Sequence, residues 1–177
     1  MRGERRKATR RLTIAAVASA LGVIILLLGA LVQVLDISMA VIASLLVVFG
    51  VIELRGPYPY LIWGVTSLLA LLLLPVKSAA LIYFLFAGYY PIVKAALEGH
   101  LPRVLAWILK LVVFNLVLGL VVLLAVKVVF VEIPPEWVKY WWLLFALEPV
   151  FVLYDIALTR LITTYILRWR ERLRFLK

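Results

Sequence analysis

Glu148 and Asp155 stand seven residues apart in the last apolar stretch of the chain. At 3.6 residues per turn that spacing puts both carboxylates on one helix face, and Thr159 and Thr163 continue the stripe. Pro149 follows Glu148 directly and can turn it out of phase, since proline removes a backbone donor and kinks a helix. Ionisable groups in an apolar span cost several kcal/mol, on the order of 3, unless they face protein or water. Arg160 lies five residues past Asp155, about 140° round the helix, so the two do not pair within it. The preceding apolar stretch carries Lys110 and Asn115. If the two stretches are antiparallel neighbours, Asn115 falls near the depth of Asp155 and Lys110 near that of Thr159. A Lys110–Asp155 contact with Asn115 beside it is then expected. Such polar groups either join helices or contact a solute or ion. Lys110 and Arg160 have a third course, reaching out to lipid headgroups.

Aromatic residues flank this stretch. Trp137, Tyr140, Trp141 and Trp142 read as an interfacial belt, or as the wall of an outward-facing pocket in which Trp142 is a candidate ligand contact. Tyr83, Tyr89 and Tyr90 admit the same two readings, because Pro91 breaks the helix that carries them and freed backbone groups can serve a ligand lining a cavity. The candidate solute contacts are therefore Asn115, Trp142, Glu148 and Asp155, with Lys110, Thr159 and Arg160 as the intramembrane polar cluster. Catalysis finds no support. The single histidine, His100, falls in a polar connection, and no Ser–His pair, metal-spaced cluster or phosphate-cradling glycine loop occurs. The absence of Cys removes disulfides, thiolate metal sites and thiol nucleophiles. No metal or cofactor is expected, and no enzyme.

These residues must be positioned by membrane helices. Of 177 residues, 67% are hydrophobic, where a soluble domain has roughly half. The mean hydropathy is +1.15. Six apolar spans are expected: 12–35, 39–52 (at most 37–54), 58–74, 79–97, 104–130 and one after Trp137. Turn signals divide them: Asp36 and Ser38, Glu53 to Pro57, Pro75 and Lys77, Pro102, and Pro134-Pro135. Span four, interrupted at Gly88 to Pro91, is the weakest; read as re-entrant it leaves five spans.

Charge orients the spans. Lys and Arg number 19 against 9 acidic residues, a formal net charge of +10. With the N-terminus inside, the inner segments hold Arg2, Arg5, Arg6, Lys7, Arg10 and Arg11, then Arg55, Lys94 and Arg103, then the tail from Arg168 to Lys177. The outer ones hold only Lys77, Lys127 and Lys139, which obeys the positive-inside rule and puts both termini in the cytoplasm. The expected fold is an all-α polytopic protein of the cytoplasmic membrane. It has a basic N-terminus (1–11), one six-helix domain (12–167) and a basic amphipathic tail (168–177). Cations beside apolar spans favour anionic lipids of the inner leaflet over nucleic acid as partner. In the tail, Trp169, Leu173 and Leu176 recur at i, i+4 and i+7 between arginines, which suits a helix on that leaflet.

The first span is retained, because only residues 12–17 would precede the signal-like Ala18-Ser19-Ala20. Its small residues form two pairs four apart, Ala16 with Ala20 and Ala18 with Gly22, either of which lets another helix approach closely.

The opening from Lys7 to Gly22, with its basic start and Ala16-x-x-x-Ala20, resembles the first helix of the substrate-binding S component of energy-coupling factor (ECF) transporters. The six-span layout, and the ending from Tyr154 to Leu158 into Arg168 to Arg174, are similar to that family's. The resemblance implies a small-molecule binder, often for a vitamin, that docks through Ala16 and Ala20 onto a transmembrane coupling subunit driven by two ATPases. The first outer loop, Asp36 to Ser38, is very short for that family's substrate lid. Two other readings of the same residues stand beside it. One is a small ion or proton channel using Lys110, Glu148, Asp155 and Arg160 as a relay; the other is a non-catalytic scaffold or assembly protein.

Overall fold

The computed structural model describes residues 2–128 and 143–169, all helices and short connections with no strand among them. Among the described residues seven α-helices follow one another: α1 (Arg2–Leu31), α2 (Asp36–Phe49), α3 (Tyr58–Leu73), α4 (Ser78–Ile82), α5 (Tyr90–His100), α6 (Arg103–Val128) and α7 (Leu143–Thr164). Single π-helical turns extend α2 over Gly50–Leu54, α4 over Tyr83–Ala87 and α7 over Tyr165–Trp169. With these extensions, five helices among the described residues are long and apolar enough to cross a membrane: Glu4–Leu31, Asp36–Leu54, Ser78–His100, Arg103–Val121 and Leu147–Arg168. The expected third span falls short. Its 16 residues make about 24 Å of helix, against a hydrocarbon core of about 30 Å.

The boundaries follow from local chemistry. Leu74 and Leu101, each preceding a proline, adopt extended backbone and end α3 and α5, because the proline ring disfavours helix at the residue before it. Pro91 sits in the first turn of α5, where no backbone donor is needed. The π turn over Tyr83–Ala87, closed by Gly88 N–H donating to the Tyr83 carbonyl at 2.8 Å, delivers the chain to that new start. The break expected at Gly88 to Pro91 is therefore a register shift inside one rod.

Residues 2–11 form the first turns of α1, whose 30 residues measure about 45 Å and so exceed a bilayer core. One expected boundary is corrected. The first span ends at Leu31 rather than Leu35. A tight turn follows, with Val32 N–H bonded to the Gly29 carbonyl and Leu35 N–H to that of Val32. Asp36 consequently starts α2 instead of closing the first span; its carboxylate favours the positive end of the helix dipole and accepts a hydrogen bond from Ser78 Oγ at the start of α4.

The chain divides into two compact units, residues 1–113 and 114–177. In the first, α1 lies against both α2 and α3, and α4 completes the packing. Its core includes Leu26, Ala43, Val47, Ile62, Ala79 and Tyr83. Small residues permit close approach: a Cβ on Gly22 would come within 2.9 Å of Thr66 Cγ2, and Thr66 Oγ1 donates to the Ser19 carbonyl at 3.3 Å. Trp63 of α3 stacks on Phe84 at 5.7 Å, meets Tyr89 edge-on, and donates through Nε1 to the Phe84 carbonyl inside the π turn. In the second unit, Phe114 of α6 stacks on Phe151 of α7 with centroids 4.5 Å apart.

Candidate functional site

Two polar groupings stand out in these apolar helices, one in each unit. In the second unit, Asn115 Nδ2 donates to Glu148 Oε1 at 2.6 Å. The pair lies beside the Phe114–Phe151 stack, which sets the two helices in register. Glu148 is half-buried and Asn115 exposed. The amide therefore meets Glu148, two turns before Asp155, the residue near whose depth antiparallel packing is expected to put it. Helix α7 continues through Pro149, and Glu148, Phe151, Asp155 and Leu158 lie on its covered side.

Asp155 is fully buried. Thr159 Oγ1 donates to the Asp155 carbonyl and Thr163 Oγ1 to the Thr159 carbonyl, both at 2.8 Å. The two threonines thus bond back along their own helix, the usual way a membrane helix satisfies a hydroxyl. Arg160 is exposed on the opposite face among Leu153, Ile156 and Leu161, which are exposed too. Trp142, with Trp137, Tyr140 and Trp141, lies outside the described residues, as does the tail from Arg170 onward.

In the first unit, Lys94 Nζ and Lys110 Nζ both donate to Glu98 Oε1, at 2.8 and 2.5 Å. The lysines are 1% and 2% exposed, the carboxylate 43%. Lys110 Nζ also sits 4.9 Å from the Trp107 ring centroid, a cation–π distance. Lys94 belongs to α5 and is buried, although it reads in the sequence as part of a polar connection. The two ammoniums meet because Lys94 and Lys110 are similarly far along their helices, about 10 Å, from the Leu101-Pro102 connection. One signal for Glu98 was present in the sequence, its i, i+4 spacing from Lys94; the bridge to Lys110 was not.

The small residues of α1 separate by face. Ala15, Ala18, Ser19 and Gly22 are buried in the bundle, whereas Ala16 and Ala20 are exposed. No cluster of metal-binding side chains occurs among the described residues.

No protein-family model, curated protein or solved structure matches this chain.

Proposed function

We propose that this chain is a membrane-embedded small-solute-binding subunit, similar to an ECF-type S component and working with separate coupling and ATPase subunits. The observation that carries the reading is the Asn115–Glu148 hydrogen bond between two apolar helices. A carboxylate held there by a carboxamide presents a charge-assisted acceptor and a donor side by side, the polar equipment a solute's own donors and acceptors require. Under the charge-derived orientation, Glu148 lies in the outer half of its helix, where an outward-facing site opens. Asp155, two turns deeper and buried, forms the floor of that polar stripe. The exposed Ala16 and Ala20 leave a small-residue strip on α1 for the close approach of a coupling subunit's helix.

A thermal-shift screen of the detergent-purified full chain against water-soluble vitamins and related heterocycles tests the reading. A ligand at 100 times its Kd adds about 2.7 kcal/mol to the folded state, a readily measured rise. The response is expected to saturate and to disappear in Glu148→Gln. A flat response across the panel, or ion flux through the chain alone in liposomes, would overturn the proposal, the latter in favour of a channel.

A further inference from the structure

We propose that Lys94, Glu98 and Lys110 form a self-occupied oxyanion site, in which Glu98 holds the place that a phosphate group takes when it binds. The inference does not depend on the solute reading above. Its basis is convergence: two ammoniums from different helices aim at one oxygen atom, at 2.8 and 2.5 Å. Both bases are sequestered while the acid between them is 43% exposed. The cationic partners are thus fixed by burial, whereas the anionic one is exposed. An outgoing carboxylate and an incoming phosphate oxygen present the same chemistry to a lysine pair, namely acceptors for charge-assisted hydrogen bonds. Lys94 precedes Glu98 by four residues, the less favourable order for such a helical pair, so little helix stability is lost when the carboxylate swings away.

The approach to the site has the right character. Arg103, Trp107 and Lys110 recur at i, i+4 and i+7, one face of α6 leading inward from the Leu101-Pro102 connection. Arg103 is exposed at the start of that face and the Trp107 ring lies against Lys110. Positive-inside bias assigns this connection to the cytoplasmic side, where anionic headgroups and soluble phosphates both occur. The shared chemistry is a phosphate monoanion or dianion, and its source is settled by experiment.

The test uses the full chain in nanodiscs of phosphatidylglycerol or of phosphatidylcholine, with copurifying lipid read by native mass spectrometry. In a second arm, inorganic phosphate is titrated into phosphatidylcholine discs and read by thermal shift. Removing the internal competitor in Glu98→Gln is expected to increase binding at least threefold in one arm. Lys110→Gln is expected to abolish it in the same arm, and Lys110→Arg to retain it. Glu98→Asp, whose shorter side chain withdraws the carboxylate, is expected to act in the direction of Glu98→Gln and serves if that variant does not fold. Gain confined to phosphatidylglycerol identifies a lipid site; gain with inorganic phosphate in neutral discs identifies a soluble ligand. If neither Glu98 variant gains in either arm, or if Lys110→Gln binds as well as the parent chain, the proposal is wrong.

Discussion

Lys94 and Lys110, sixteen residues apart in sequence, donate to the same oxygen of Glu98. That shared acceptor ties the end of α5 to the start of α6 across a connection of only two residues. Truncating Glu98 removes that shared acceptor from two buried ammoniums, and loss of a hydrogen bond to a charged group costs about 1.5–3 kcal/mol, the low end applying because the carboxylate is 43% exposed. Glu98→Ala is therefore expected to lower the midpoint of denaturation well below that of Glu98→Gln, which keeps an acceptor oxygen. A Glu98→Ala midpoint equal to that of the parent chain would show that the bridge contributes nothing.

Gly88 accepts no side chain. A Cβ there would come within 2.6 Å of Trp63 Cδ1 and 2.8 Å of the Tyr83 ring; Trp63 is held by its stack on Phe84 and Tyr83 is fully buried. Gly88→Ala is expected to destabilise the chain by about 1–3 kcal/mol, the range for overpacked cores. Gly64→Ala is the control, since nothing lies within 4 Å of its added carbon. Thermal unfolding of the two variants side by side checks this; comparable losses would contradict it.

On α1, leucine scanning should divide by face. Gly22→Leu is expected to disrupt the contact with Thr66, whereas Ala16→Leu and Ala20→Leu leave the monomer folded. If Ala16 and Ala20 form the docking strip, their leucine variants lose co-purification with a coupling subunit at unchanged monomer stability. Retained complex formation would remove that role from them.

Arg55 carries the left-handed backbone of the turn between α2 and α3, with φ 55 and ψ −177. That region is essentially confined to glycine and costs a residue with a side chain roughly 1–3 kcal/mol. Arg55→Gly is expected to raise stability by about 1 kcal/mol after the greater freedom of glycine in the unfolded chain is counted. A lower melting temperature would show that the arginine side chain does more than its backbone costs.

Asn115 and Glu148 can be tested as a pair by a double-mutant cycle. Hydrogen bonds between membrane helices average about 0.6 kcal/mol and reach about 1.7, and a coupling in that range is expected from Asn115→Ala and Glu148→Ala. A coupling of zero would mean that the 2.6 Å contact is not energetically real.

The sequence alone determined the class of fold and most of its punctuation. Long apolar runs can satisfy their backbone in lipid only as helices, and prolines 75 and 102 end α3 and α5 where any such chain would end. The seven-residue spacing put Glu148 and Asp155 on one face of a regular helix, a local property, but only the continuation of α7 through Pro149 kept them there.

Partners were decided only by the tertiary structure. Glu98 reaches Lys110 through a connection whose path no periodicity encodes, and Asn115 meets Glu148 through a register set by packing of Phe114 on Phe151. Nor could the pattern on α1 say which small-residue pair turns inward. Lipid tails are as apolar as leucine, so hydrophobicity does not rank the faces of a membrane helix, and the choice of Gly22 over Ala20 rests on shape against Thr66.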